Sequence, residues 1–325
     1  MSGFEERSII LLIALLLDAL VGDPDWLWKR MPHPVAVMGN AISILDHRLN
    51  HNANTPPERR LAGVLAVIVL LVAFALLGWA LSALAANLKL GIIIEIAIVA
   101  ILLAHRSLYD HVMAVAHGLE LGGLKKGREA VKKIVGRDPT SLDEAGVARA
   151  AIETTAENFA DGVVAPAFWY LVIGLPGVLV FKLINTADSM MGHKSERYLQ
   201  FGWAAARVDD LANWLPARIS GVLISFGAVL LPTCKAREAL RTMRQDASKH
   251  NSPNAGWPEA AMAGALGLAL AGPRRYGGRV VDDPWQNADG RQAVNADDIR
   301  RALRLMVVST AVMLVIVAIM AVAVN

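Results

Sequence analysis

The stretch Ala62–Ala86, AGVLAVIVLLVAFALLGWALSALAA, runs 25 residues without a charged side chain. About 20 helical residues cross a hydrocarbon core, so the stretch predicts a transmembrane helix. Leu305–Val324 repeats the pattern over 20 residues, and Leu90–Ala104 and Val163–Ile184 are nearly as apolar but carry Glu95 and Lys182. Weaker apolar blocks lie at Ile9–Val21, Trp214–Pro232 and Pro258–Ala271. The hydrophobic content of 55% exceeds the roughly 45–50% of globular chains, and it is gathered in these blocks. That distribution, with a mean hydropathy of +0.43, argues against a soluble protein with two buried core helices. The expected fold is all-α: a polytopic membrane helical bundle of about 4–6 membrane segments.

Between Ala62–Ala86 and Leu90–Ala104 stand only Asn87, Leu88 and Lys89, so the two predict a helical hairpin that returns the chain to its starting side. The polar stretches 22–60 and 105–162 then share one side. Lys125, Lys126, Arg128, Lys132, Lys133, Arg137 and Arg149 place that side in the cytoplasm by the positive-inside rule. The first stretch, rich in proline, has a helical centre over Val35–Leu49. In the second, Leu119–Val135 reads as an amphipathic helix. Counting spans would put the next polar stretch, 186–213, outside. However, Gly174-Leu175-Pro176-Gly177 breaks the intervening segment at its middle. The reading favoured is a re-entrant or broken helix over 163–185, with 186–213 a third cytoplasmic loop of a single integral-membrane domain spanning 1–325. The N-terminus is expected to be retained: Glu5 and Glu6 outweigh Arg7, Asp18 interrupts the apolar run, and no A-x-A site follows.

Polar chemistry concentrates in three places. Ser141-x-x-Glu144 reads as a capping box that opens a helix towards Asp161. On it Glu153, Glu157 and Asp161 recur every fourth residue, a carboxylate stripe suited to a metal or substrate, with Arg149 one turn earlier. Lys182, Asn185 and Ser189 share a helical face at the end of the broken segment, followed by Asp188, His193 and Lys194; an ionisable group in an apolar segment is a functional candidate. Arg207-x-Asp209-Asp210-x-x-Asn213, with Arg218 beyond, suits a magnesium-bound phosphate: carboxylates hold the ion and guanidinium groups the phosphate oxygens. A further polar turn carries Asp246, His250, Asn251, Ser252 and Asn254.

Other classes recede. One cysteine, Cys234, excludes an intrachain disulfide and a cysteine-rich metal site. No H-E-x-x-H, Walker or G-x-G-x-x-G motif occurs, and a net charge of +3 without a basic-aromatic array argues against nucleic acid.

Taken together, LLLDALVGDP, HPV-x-x-MG, ETTAENFADGVVAPAFWYLVIGLPG, INTADSMMGHKSERY, FGWAAARVDDLANWLPARISG and DASKHNSPNAGWPEAAMAGAL closely resemble, in that order, the adenosylcobinamide-phosphate synthase family, CobD or CbiB. The likeness runs from about Leu11 to Gly267. It implies a bacterial inner-membrane, multi-pass enzyme of cobalamin biosynthesis whose active site faces the cytoplasm. Such an enzyme is an ATP- and magnesium-dependent acid–amine ligase, joining a propionate carboxylate of adenosylcobyric acid to (R)-1-amino-2-propanol or its O-phosphate. Its partners would be those substrates, the lipid bilayer and other membrane enzymes of the corrinoid pathway.

On that footing Glu157, Asp161, Asp188 and Asp209 or Asp210 would hold magnesium and nucleotide phosphates. Lys182, Ser189, Lys194, Arg207 and Arg218 would bind phosphate or substrate. Glu153 would be the base, within a catalytic set of Glu153, Glu157 and Asp161. Asn158, Asn185 and Asn213 would orient amides or phosphates. Two rivals remain at this stage. Asn185-x-x-Asp188 is similar to part of a membrane prenyltransferase site and Asp161-Gly162 to the start of a phosphoalcohol transferase signature, but the remaining pattern of each is missing. A corrinoid transporter or scaffold would also use Glu95, Lys182 and a broken helix.

Overall fold

The computed structural model describes residues 3–51, 53–136, 138–276, 279–281 and 283–323. It is built almost wholly of helix. In chain order these are α1 (Gly3–Val21), α2 (Asp25–Trp28), α3 (Pro34–Leu49), α4 (Pro56–Ala86), α5 (Gly91–Leu102), α6 (His105–Val131) and α7 (Glu144–Phe159). A π-helical turn, Ala160–Val164, leads into α8 (Ala165–Ile173), α9 (Leu175–Met191), α10 (Trp203–Ala212), α11 (Trp214–Val229), α12 (Ala236–Asp246) and α13 (Gly256–Leu266). Two short antiparallel pairs follow: β1 (Leu270–Ala271) with β4 (Trp285–Gln286), and β2 (Arg274–Tyr276) with β3 (Arg279–Val281). The last helix is α14 (Ala296–Ala323). Among the described residues three helical stretches are long and apolar enough to cross a membrane: Pro56–Ala86, Gly91–Val131 and Ala296–Ala323. Contacts divide the chain into two compact units.

The first unit comprises Met1–Ala104, Ala165–Asn213 and Ala318–Asn325. Its axis is α4, which starts where Glu58 accepts hydrogen bonds from the Thr55 amide and hydroxyl, 2.8 Å each, ahead of Pro56 and Pro57. The outward face stays apolar and exposed through Val72, Leu76 and Trp79, as a lipid-facing surface requires. The other face receives α3, α5, α9 and α10.

The break between α8 and α9 falls where Gly-Leu-Pro-Gly predicts it. Gly174 has φ 78 and ψ −150, a conformation that costs glycine nothing, and Pro176 sits in the first turn of α9. The chain does not merely kink there. Gly177 lies against the Trp169 carbonyl and the Ile173 side chain. In a continuous helix residues 169 and 177 would stand roughly 12 Å apart, so α8 and α9 form a hairpin. Its tip packs Pro176 and Leu175 onto Gly78 of α4, while at the far end of α9 Met191 meets Gly202 and Phe201 meets Gly63. Gly63 and Gly78 lie roughly 22 Å apart along α4 at 1.5 Å per residue. α9 therefore runs along most of the length of α4, from the tip at Gly78 back to that helix's N-terminal end. Because α9 runs on to Met191, Thr186 and Asp188 belong to its last turns and not to a loop.

The return is clamped. Asp46 on α3 accepts from Arg197 (2.7 Å), Tyr198 (3.2 Å) and Asn50 (2.8 Å). Burial pushes its carboxyl up, but Arg197 and Asn50 outweigh that and hold it below the usual range.

The second unit comprises His105–Val164 and Trp214–Val317. Its core is α13, buried at every position but Trp257, so the apolar block that contains it is interior. Two sequence expectations change here. The helix predicted over Leu119–Val135 is interrupted at Gly123 (φ 64, ψ −165), and Gly118 lies against the backbone of Lys126 and Gly127. The Gly122-Gly123 pair turns the chain back on itself, and only glycine tolerates that conformation without strain. The helix predicted to open at Ser141 starts at Glu144 instead. Asp143 is its N-cap and accepts from the Gly146 amide at 2.8 Å. A carboxylate caps as well as a serine hydroxyl and here reaches the third amide.

Replacing Gly78 with Val is expected to lower stability by about 1–3 kcal/mol, because its side chain would meet the Pro176 backbone at 2.5–2.7 Å. Leu76→Ala, on the exposed face, is expected to change little. Thermal unfolding in detergent compares the two.

Candidate functional site

The first unit gathers most of the predicted polar residues at the upper part of α9 and α10. Asp209 is 8% exposed, and both its oxygens face neutral amides: Asn185 Nδ2 at 3.4 Å and Asn213 Nδ2 at 3.1 Å. Neither amide neutralises it. Burial, and then the charge of Asp188, push its carboxyl up to about 7, against the pull of Asn213 and Asn185. Asp188 is also raised, by burial and by Asp210, with His193 opposing. Asp210 is raised by burial, partly offset by Arg207, whose Nη1 is 3.6 Å away. Three carboxylates thus repel one another in a partly dry setting. Asn213 is 2% exposed and turns a side-chain oxygen, Oδ1, into the interior without a hydrogen-bond partner.

These are hard oxygen donors, and a divalent cation would relieve both the repulsion and the unmet Asn213 oxygen. The fit is to a partly hydrated ion. Among the described residues no three Asp, Glu, His or Cys side chains converge to metal-ligating geometry. Magnesium commonly keeps several waters and takes only one or two carboxylates from the protein. Of the other predicted residues in this unit, Ser189 donates to the Asn185 carbonyl at 2.9 Å, Thr186 donates to that of Lys182 at 2.6 Å, and Lys194 is exposed on the clamped return.

The second unit holds Glu153, Glu157, Asn158, Asp161 and Arg218. A cleft of about 390 Å³ is lined by Glu153, Thr154 and Glu157 of α7, His250, Asn251, Glu259 of α13, Asp283 and the Ile134–Gly136 turn. Glu153 is 4% exposed and accepts the Ala271 amide at 2.8 Å, Ala271 itself standing at φ 58. His250 Nδ1 accepts from the Ser252 amide at 3.0 Å, which directs Nε2 towards Glu259, 3.7 Å away. Asn251 donates to Asp283 at 2.7 Å. Asn158 donates to the Thr154 carbonyl at 3.1 Å, and Asp161 lies half-buried in the π-helical turn. Arg218 is sandwiched between Trp214 and Trp257, 4.3 and 4.5 Å from the ring centroids.

Of the candidate residues of 150–220, the structure places Lys182, Asn185, Asp188, Ser189, Lys194, Arg207, Asp209, Asp210 and Asn213 in the first unit and Glu153, Glu157, Asn158, Asp161 and Arg218 in the second. It also adds Thr154, His250, Asn251, Glu259 and Asp283. The HNSPN turn was a visible signal for two of these. Asp246, the last residue of α12, serves the fold: it takes the Lys249 ammonium at 2.6 Å and the Asn287 amide at 2.7 Å.

A largely helical chain with membrane-length helices and a buried, self-repelling carboxylate cluster defines a membrane protein. Comparison supplies the family. The CobD/CbiB protein family model matches residues 11–306. Proteins described as cobalamin biosynthesis protein CobD are similar along nearly their whole length. That of Rhizobium meliloti is 53% identical over 310 residues, 95% of each chain. That of a Sinorhizobium species is 55% identical over 297 residues, 91% of this chain and 92% of the relative. That of Rhodobacter capsulatus is 47% identical over 304 residues, 92% of each. No solved structure matches. The chain belongs to the CobD/CbiB family of cobalamin biosynthesis.

The raised carboxyl of Asp209 gives a signed pH dependence. Between its unfolded range near 3.8 and about 7 the folded protein binds the extra proton, so stability falls as pH rises through that window. In chelator-treated protein the melting temperature is expected to drop from pH 5 to pH 8, and Asp209→Asn to flatten that slope; thermal scans at several pH values check both.

Proposed function

We propose that this protein forms the amide bond between a propionate carboxylate of adenosylcobyric acid and (R)-1-amino-2-propanol or its O-phosphate, using ATP and magnesium. The observation that carries the reading is the cluster of Asp188, Asp209 and Asp210 with the unmet oxygen of Asn213, in a chain of this family. A carboxylate and an ammonium ion do not condense in water, so the acid must be activated and the amine deprotonated. Bound magnesium would supply charge neutralisation for nucleotide phosphates and the developing leaving group.

Asp188 and Asp209 would hold the ion, with Asn213 Oδ1 as a neutral ligand. Asn185 would fix the Asp209 carboxylate. Arg207, 3.6 Å from Asp210, and the exposed Lys194 would meet phosphate oxygens. In the second unit, Glu153 and Glu157 are the candidate acid–base residues, and burial of Glu153 at 4% exposure suits a base shielded from water. Asp161, Asn158, Lys182, Ser189 and Arg218 remain candidates for substrate contact.

The site would face the cytoplasm of the inner membrane. Support comes from the hairpin: the N-terminal end of α4, reached from stretch 22–60, is also where α9 and the following stretch return. By the positive-inside rule the basic residues of 105–162 also read as cytoplasmic.

Purified protein given adenosylcobyric acid, ATP, magnesium and either amine is expected to yield the amide, read by mass. Asp209→Ala is expected to lose about 10²-fold or more in turnover, as when a group stabilising transition-state charge is removed. Asn213→Ala is expected to lose about 10–100-fold, with a matching rise in the magnesium needed. Wild-type turnover in Asp209→Ala would overturn the assignment of the centre.

A further inference from the structure

Below the carboxylates, the first unit encloses a cavity of about 410 Å³ between α4, the α8–α9 hairpin and the last turns of α10. Its wall carries no charged residue, and its one polar side chain, Trp169, is already committed: the indole N–H donates to the Ala212 carbonyl at 3.1 Å. Water needs two to four polar partners to occupy a cavity, and this wall offers none that is spare. Left empty, the space would forfeit dispersion contacts along its whole lining.

Its depth and its mouth identify what fills it. Leu71 and Ala75, its contributions from α4, lie roughly 12 and 18 Å along that helix from Gly63, in the middle of a membrane-length element. The rim is apolar and outward: Ile173 is 50% and Leu211 77% exposed, continuous with Val72 and Leu76 on the bare face of α4. At that depth the mouth meets hydrocarbon and not water. We infer that the cavity is an acyl-chain site, in which one tail of a membrane phospholipid enters past Ile173 and Leu211 and lies against Phe181 and Ala75. The tail wedges beneath the Trp169–Ala212 junction and so supports the end of α10 that carries Asp209. The inference is independent of the ligase reading, since it rests on the shape and depth of the cavity alone.

The test uses full-length protein in nanodiscs made with a phosphatidylcholine whose acyl chain carries a diazirine, followed by irradiation and peptide mapping. Outward residues such as Leu76 and Trp79 label in any membrane. Phe181 and Ile184, each 2% exposed, label only if a chain enters the cavity. Cross-links at Phe181 or Ile184 are expected in the wild type. In Ala75→Phe, which fills the space, they are expected to vanish while those at Leu76 and Trp79 keep their yield. Labelling confined to the outward face of the wild type, or cavity labelling unchanged by Ala75→Phe, would overturn the site. Should Ala75→Phe fail to fold, the wild-type map decides alone.

Discussion

A helical hairpin can end within the thickness of a membrane only if the backbone groups at its tip are satisfied without water. The α8–α9 tip meets that condition by local means. The Gly174 amide donates to the Tyr170 carbonyl at 2.7 Å, and the Val178 amide returns to the Gly174 carbonyl at 3.2 Å. Arg7, on α1, donates to the Val172 carbonyl at 2.8 Å, placing a cation at the C-terminal end of α8 where the helix dipole favours one. Tyr170, fully buried one turn above the tip, gives its hydroxyl to Glu95 of α5 at 2.8 Å, so the intramembrane carboxylate serves to hold the hairpin. Everything that α9 carries depends on this tip being seated against Gly78.

That dependence reaches the chemistry through distance. Because α9 begins at the tip and runs 17 residues, its polar last turns arrive beside α10 at the N-terminal end of α4. Asn185 then bridges to Asp209, and Asp188 comes close enough for its charge to be felt there. The same apolar walls that let the hairpin enter the membrane strip solvent from these carboxylates. Desolvation and mutual repulsion are therefore consequences of where the hairpin ends.

How much of this was legible in the sequence follows from how local each determinant is. Glycine and proline act on their own backbone, so Gly174-Leu175-Pro176-Gly177 announced the break, and charge-free length announced α4 and α14. Periodicity misled at Gly122-Gly123: the apolar and basic residues keep helical spacing on both sides of a turn, and the pattern reads through it. At Ser141 and Asp143 two good caps lie two residues apart, and propensity cannot choose between them. The cleft of the second unit was least legible, since Glu153, Glu259 and Asp283 are brought together only by how α7 and α13 pack and where the following segment returns. Asp188, Asp209 and Asn213 were visible as residue types, but the orphaned oxygen of Asn213 is a fact of packing alone.

Three other buried aspartates give a reason to treat this centre as built for a ligand. Asp46 has Arg197, Asp246 has Lys249, and Asp298 has both Arg291 at 2.6 Å and Arg301 at 3.0 Å. In each the fold buried a carboxylate and supplied a cation with it, as structural burial of charge requires. Asp209 is as deeply buried and received two neutral amides and a second carboxylate instead. Beside those three paired acids, an arrangement that raises Asp209, Asp188 and Asp210 together stands apart. Such a cost persists where a function repays it, and the missing counter-charge names the kind of ligand that would do so.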